Sequence, residues 1–218
     1  MTDLDLELIE LDALPYEDGL ELQRARRELV LGGGPGALFL VTHPPTVTLG
    51  RHASRASVIG RLELERRGVP IIETERGGDV TFHGPGQLVG YPVLDLARYG
   101  LGAKRYVELL GLTLNDVLAA RGIVAAWDDA APGLWTAHGK IAAVGVHIHR
   151  NVPIHGFALN VDVLLSWFDL IIPCGLARPV TSIRRELGHD AGGVRALRPA
   201  VVEALRARLH LRPHVNAP

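Results

Sequence analysis

The chain has 218 residues, 47% of them apolar and 22% charged; this is ordinary globular usage and excludes disordered, collagenous and coiled-coil classes. Its 23 basic and 24 acidic side chains leave a net charge of -1, which argues against bulk electrostatic binding of nucleic acid or an anionic membrane. A single cysteine, Cys174, excludes an internal disulfide framework and a multi-cysteine zinc site and fits a reducing compartment.

The amino terminus is acidic and alternates polar with apolar residues, whereas an export signal needs a basic start and a continuous apolar stretch. The first element is therefore read as a strand, Leu6 to Leu11. The spacing then turns helical from Tyr16 to Leu31, with Leu20, Leu22, Ala25 and Leu29 as the expected apolar stripe, and Gly32-Gly33-Gly34-Pro35-Gly36 stops it. Ala37 to Thr42 and Thr46 to Leu49 read as two strands split by His43-Pro44-Pro45, because prolines cannot donate to a ladder. A short helix is expected over Arg61 to Arg67 and a strand over Val69 to Glu73. Arg76 to Gln87 is dense in glycine and reads as a long irregular loop, followed by a strand over Leu88 to Leu94. Lys104 to Arg121 is the clearest amphipathic helix, with Gly122 as its terminator.

Strands resume at Ile123 to Trp127, Gly133 to Thr136, Ile141 to Arg150 and Pro153 to Val161. A last helix is expected from Pro199, in its first turn, to Leu209, after a Gly192-Gly193 loop. Neighbouring strands often lack the dozen residues that a parallel crossover requires. The expectation is an α+β (α/β) protein with a mixed, mostly antiparallel sheet flanked by helices. It forms one domain over residues 1-211, with 212-218 as a frayed tail. The longest apolar runs, such as Ala37 to Val41, fall far short of the roughly 20 residues that span a bilayer, so the reading is of a soluble, cytoplasmic protein.

Three segments could carry chemistry. Arg76 to Gln87 lets the backbone approach a ligand closely, or it is a surface turn; it matches neither a P-loop nor a dinucleotide fingerprint. Lys140, one of only two lysines with Lys104, opens an apolar strand. There it is either a desolvated base with a lowered pKa or a lysine that snorkels from a strand end. Beyond it, Ala143 and Gly145 share one strand face and leave room beside the sheet. Cys174 sits between Pro173 and Gly175 in an expected loop, where it is either a reactive thiol or a small core residue. His147, His149 and His155 with Cys174 have no recognised metal-ligand spacing, so no metal is expected.

Taken together, Arg76-Gly77-Gly78 with Thr81, His83-Gly84-Pro85-Gly86-Gln87, Gly139-Lys140-Ile141-Ala142, His155-Gly156-Phe157-Ala158-Leu159-Asn160-Val161 and Pro173-Cys174-Gly175 resemble the lipoyl(octanoyl) transferase family. The motifs stand in the family's order, and Val180-Thr181-Ser182 extends the likeness. The resemblance implies the fold of the biotin and lipoate protein ligases and a cytoplasmic enzyme that needs no cofactor and no metal. Such an enzyme moves an octanoyl group from octanoyl-acyl carrier protein to a lysine of lipoyl domains, those of 2-oxoacid dehydrogenases and of the glycine cleavage H protein. Cys174 would hold the acyl group as a thioester and Lys140 would lower its pKa. Arg76, Gly77, Gly78, Asp79, Val80, Thr81, Phe82 and His83, with Ala143, Val144, Gly145, Gly156, Phe157 and Ala158, would line the acyl site. The expected partners are these proteins alone, with no nucleic acid and no membrane, and the enzyme is expected to be a monomer.

The chemistry is sound in its own right, since a second thioester on the enzyme replaces one hard step by two easier ones. Backbone N–H groups near Gly77-Gly78 and Gly145 are the candidate oxyanion donors. Arg51, Arg55, Arg178, Arg184 and Arg185 are expected to offer an acidic carrier a basic landing surface. Three rivals remain: an ATP-dependent lipoate or biotin ligase, which needs no cysteine; a cysteine hydrolase, in which water resolves the acyl-enzyme; and a non-catalytic carrier-binding module.

Overall fold

Strand β1 (Glu7–Leu11) lies parallel to β2 (Ala37–Val41), an arrangement no tight turn can make, and helix α1 (Tyr16–Leu31) supplies the crossover. The unit repeats on a smaller scale, where β3 (Thr46–Leu49) and β4 (Ile71–Glu73) pair in parallel around α2 (Arg61–Arg66). Among the described residues every other pairing between named strands is antiparallel, through β5 (Val80–His83), β6 (Gln87–Val93), β7 (Ala126–Trp127), β8 (Gly133–Thr136), β9 (Gly139–His149) and β10 (Val152–Asn160). Helix α3 (Ala103–Ala119) separates β6 from β7, and α4 (Ile183–Leu187) and α5 (Gly193–His210) follow β10. These observations come from a computed structural model that describes residues 6–172 and 178–210. The tail expected over 212-218 lies outside the described residues.

The strands form two sheets, one ordered β1-β2-β6-β10-β9-β8-β7 and the other β4-β3-β5. The break falls at His43-Pro44-Pro45, where the missing N–H groups end β2 and let β3 start a new sheet. Period-two alternation then sorts the core. Leu38 and Leu40 of β2 join α3 and α5 on one face, while Ala37, Phe39 and Val41 join Leu20 and Val30 of α1 on the other. Strands β2, β6 and β10 are buried along their whole length, which is why they read as near-continuous apolar runs.

Three expectations are corrected, and one unannounced element appears. The glycine-dense loop contains a strand, β5, because Val80 and Phe82 alternate with Thr81 and His83 and bury their side chains against the small sheet's core. In α1 only Leu20 of the expected stripe is buried. Leu22, Ala25 and Leu29 are exposed, and the inner face is Tyr16, Gly19, Leu20, Gln23 and Val30. Gln23 can stand there because its Nε2 donates to Gly19 O at 2.9 Å and its Oε1 accepts the His155 N–H at 2.7 Å. Helix α5 begins at Gly193, so Pro199 lies inside it rather than in its first turn. The lost backbone bond is offset by burial of Val194, Leu197, Val201, Leu205 and Leu209. Helix α4 had no apolar period to announce it; Ser182 caps it by accepting the Arg185 N–H at 3.3 Å.

Candidate active site

Lys140 enters the site where the sheet is irregular. Trp135 of β8 pairs with Lys140 and Leu134 with Ala142, so Ile141 is an extra residue on β9. On the other side of Lys140 a short parallel bridge to Val180 closes the ladder: its N–H donates to Pro179 O at 2.9 Å and its carbonyl accepts from Thr181 N–H at 3.0 Å. The side chain is directed as firmly as the backbone. Nζ donates to Ala131 O at 3.2 Å and lies 5.3 Å from the centre of the Trp135 ring, whose own Nε1–H shares Ala131 O at 3.1 Å. Cys174, the expected nucleophile, lies outside the described residues. The chain on either side of it is anchored, by Ile172 N–H donating to Ser57 O at 2.8 Å and by Arg178 stacked on Trp135. The other lysine, Lys104, is exposed on α3 beside Glu108.

The glycine-rich segment is braced against the sheet from below. Arg76 is 8% exposed; its Nε and Nη2 donate to Thr48 Oγ1 at 3.2 and 2.9 Å, Nη2 also to Thr48 O at 2.8 Å, and Nη1 to Gly77 O at 3.1 Å. Gly77 N–H then donates to Val146 O at 3.0 Å, tying the loop across β9. A Cβ on Gly145 would sit 2.9 Å from Gly77 O, so this crossing requires glycine. The two other expected stretches are neighbours in the ladder: Ala143 pairs with Ala158, Val144 with Phe157 and Gly145 with Gly156.

These elements enclose a cavity of about 270 Å³. Lys140, Arg76, Gly77, Gly78, Asp79, Val80, Thr81, His83, Ala143, Val144, Gly145, Gly156, Phe157 and Ala158 all line it. Phe82 is the exception and corrects the expectation that the whole stretch faces the acyl group. It alternates away from its neighbours and stacks on Trp167 at 5.1 Å in the core of the small sheet. The structure adds lining residues that the motifs had not assigned, among them Tyr16, Gln87, Val89, Tyr91, Val107 and Asn160. Gln87 and Asn160 lay inside the quoted motifs, so their polar character was a usable signal. Nothing local marked Tyr16.

One side of the cavity is built of buried, mutually bonded polar groups. His43 donates through Nδ1 to Leu14 O at 2.6 Å, and its Nε2 lies 2.7 Å from the Tyr91 hydroxyl. Burial pushes the His43 pKa down to about 4. Burial also pushes His83 well below its usual value; its Nδ1 donates to Gln87 Oε1 at 2.8 Å. His155 stands at φ 61, with Nδ1 3.4 Å from the Tyr16 hydroxyl and Nε2 3.8 Å from Glu75. Burial lowers its pKa against the opposing pull of that carboxylate. His155 and then Arg24 hold the Glu75 carboxyl below the usual range. From His83 the bonds continue: Gln87 Nε2 donates to Asn160 Oδ1 at 2.9 Å, and Asn160 Nδ2 to Thr181 O at 3.0 Å. The Thr181 N–H closes the chain on the Lys140 carbonyl.

Of the arginines expected to form a basic surface, Arg55 is paired with Glu73 and Arg178 with Asp128, each at 2.6 Å. Among the described residues no cluster of three or more His, Cys, Asp or Glu side chains is arranged to hold a metal ion, and no helix is long and apolar enough to cross a membrane.

Solved structures give the class of fold. Lipoate-protein ligase A bound with ATP superposes with a TM-score of 0.74, covering 94% of this chain and 86% of that one at 14% identity. Biotin protein ligase from Aquifex aeolicus in complex with biotin and ATP superposes with a TM-score of 0.57 over 94% and 70%, also at 14% identity. The architecture is that of the lipoate and biotin protein ligases. Residues 15–206 match the lipoyl protein ligase A/B catalytic domain, and the chain belongs to that family. It is 46% identical over 198 residues to an octanoyltransferase of Acidobacterium capsulatum, covering 84% of this chain and 80% of that protein. With an octanoyltransferase of Alkaliphilus metalliredigens it is 40% identical over 195 residues, covering 85% and 87%. The chain is a transferase.

Proposed function

We propose that this protein transfers an octanoyl group from octanoyl-acyl carrier protein to the lysine of lipoyl domains, including those of 2-oxoacid dehydrogenases and the glycine cleavage H protein. The chemistry runs through a thioester on Cys174, in one catalytic domain that works as a cytoplasmic monomer. The observation that carries this reading is the pairing of Ala143 with Ala158 and of Gly145 with Gly156 beside Lys140, on the cavity that all five residues line. Small side chains on alternate rungs, which share one face of the sheet, leave a slot for an unbranched chain. Each methylene buried there contributes about 0.8 kcal/mol, so an eight-carbon tail contributes several.

In the first step the Cys174 thiolate attacks the carbonyl carbon of the carrier's thioester; the C–S bond to the carrier breaks, and the carrier thiolate leaves with the proton of the Lys140 ammonium, which leaves Lys140 as the neutral amine for the second step. In the second step the acceptor lysine's amine attacks the enzyme thioester, an amide forms, and Cys174 leaves as the thiolate while the amine's proton passes to Lys140. Ala131 O and the Trp135 ring hold the Lys140 side chain independently of the acyl group, which supports its role as a fixed ammonium beside the thiolate. Arg51, Arg184 and Arg185, all exposed, remain to attract an acidic carrier, with binding that weakens as salt rises.

Intact-mass analysis after incubation with octanoyl-acyl carrier protein tests the reading. A single octanoyl adduct is expected, absent in Cys174→Ala and slow to form in Lys140→Ala, and it should pass to an added lipoyl domain rather than appear as free octanoate. Product made from free octanoate and ATP, surviving Cys174→Ala, would establish a ligase instead.

A further inference from the structure

Tyr16 opens α1 directly after Pro15 and is 4% exposed, yet it borders two hollows. On one side it lines the deep cavity, stacked on His83 with ring centres 5.5 Å apart and planes 21° from parallel. On the other it lines a surface groove of about 530 Å³ shared with Pro15, Pro44, Pro45, Pro70 and Trp167. Tyr16 is the one described residue common to both linings. We infer that the Tyr16 ring is the partition between the acyl slot and this groove, and that it sets the longest acyl chain the enzyme accepts. The inference rests on the proposed octanoyl transfer and names the residue that gives it a chain length.

The direction of the slot follows from the ladder. Lys140 and Val146 lie six positions apart on β9, but the Lys140 side chain covers the first half of that span: a Cβ on Gly133, the partner of Ala143, would sit 2.6 Å from Lys140 Cε. This leaves three positions to Val146, roughly 10 Å along a strand and enough for an extended eight-carbon chain. Between them come the rungs Ala143–Ala158 and Gly145–Gly156, and the next residue on β10 is His155, whose Nδ1 lies 3.4 Å from the Tyr16 hydroxyl. A tail laid along these rungs from Lys140 therefore ends against Tyr16 and His83. The end wall is rigid, because the Tyr16 ring also packs 5.2 Å from His43, which Leu14 O and the Tyr91 hydroxyl hold from both sides. It is also polar, so a longer chain must displace buried hydrogen-bonded groups and cannot simply press into soft apolar packing. Past the ring Pro15, Pro44, Pro45, Val69 and Pro70 would accept further methylenes, beside Glu17 and Arg67, whose guanidinium covers the Trp167 ring at 4.8 Å.

The test measures transfer to a lipoyl domain from acyl carrier proteins loaded with chains of six to fourteen carbons. The parent is expected to fall off beyond octanoyl, and Tyr16→Phe, which keeps the ring, to show the same profile. Tyr16→Ala opens the partition. Each methylene that then reaches the groove favours the longer chain by about fourfold, so the dodecanoyl-to-octanoyl ratio of kcat/KM should rise at least about tenfold. Tyr16→Leu carries the same test if the alanine variant does not fold, as judged by thermal unfolding. A folded variant without the ring whose profile matches the parent overturns the inference, as does a shift already complete in Tyr16→Phe. Calorimetric binding of octanoic and dodecanoic acid reads the partition without any transfer step. A parent that transfers no chain of any length defeats the proposed reaction, while the binding ratio still decides the role of Tyr16.

Discussion

The Arg178 guanidinium lies over the Trp135 indole, 3.5 Å from the ring centre, and its Nη1 donates to Asp128 at 2.6 Å. Trp135 thus carries two cations, since the Lys140 ammonium is 5.3 Å from the same ring. The stack fixes the start of the segment whose next residues, Pro179 to Thr181, bridge the Lys140 backbone. The Arg178 side chain is 39% exposed, so the ion pair adds little, and the ring contact adds about 1 kcal/mol. Arg178→Ala is therefore expected to lower Tm by only about 2–4 °C. If the stack holds Lys140 and Cys174 in register, the same substitution slows octanoyl-adduct formation by about tenfold, a misplacement effect. Arg178→Lys, which keeps the charge but loses the planar stack, should recover only part of the rate. An adduct rate equal to the parent's in Arg178→Ala would reduce the stack to a surface contact.

Acid should weaken the fold through its buried histidines before it reaches the carboxylates. His43 is held at about 4 by burial, and burial lowers His83 and His155 as well. Below about pH 6.5 the unfolded chain takes up protons at these positions and the folded one does not. Stability is therefore full above pH 6.5 and falls as pH drops towards 4, by about 3 kcal/mol for His43 alone. Glu75, whose folded pKa is depressed, adds its loss only below the ordinary glutamate range, so the window from 6.5 to 4.5 belongs to the histidines. Thermal unfolding across that window should show a steady decline that His43→Gln makes shallower. A flat profile between pH 7 and 5 would contradict the neutral network.

Gly90 of β6 is the backing for the Phe157 ring. A Cβ there would lie 2.1 Å from the Phe157 Cζ atom, and because Phe157 lines the cavity the displaced ring has to move at the expense of the slot. Overpacking of this kind costs about 1–3 kcal/mol. Gly90→Ala is expected to fold with reduced stability and to bind octanoic acid several-fold more weakly in calorimetry. Unchanged affinity would mean that Phe157 relaxes elsewhere and does not shape the acyl site.

What could be read from the residues, and what could not, divides along sequence separation. Strands β2, β6 and β10 and helix α3 declare themselves through local period and composition, and the ladder then brings Ala143 to Ala158 as the motifs require. The stripe of α1 is not legible locally: the pattern favours Leu22 and Leu29, whereas the inner face is chosen by a polar residue. Gln23 is admitted to the interior by the His155 backbone, 132 positions away. Tyr16 carries no local signal for the same reason: its partners His43, His83 and His155 come from three other segments. Strand β5 was hidden by the glycines around it, although Val80 and Phe82 carried the alternation.

The polar chain from His83 to Lys140 gives the last prediction. Gln87 Oε1 accepts from His83 Nδ1, while Gln87 Nε2 donates to Asn160 Oδ1 at 2.9 Å and to Phe82 O at 3.2 Å. Gln87→Ala leaves these buried groups without a partner, which costs about 1–3 kcal/mol. Asn160→Ala removes the next link, the bond to Thr181 O beside the Lys140 carbonyl. Because the two side chains touch, the double variant should be less damaged than the sum of the single ones, with a coupling of about 0.5–3 kcal/mol in urea unfolding. If the chain also orients Lys140, octanoyl-adduct formation should slow in both single variants at pH values where they are fully folded, and the pH dependence of that rate should move. Additive stabilities together with parental rates would show that the glycine-rich segment and the lysine strand are built independently.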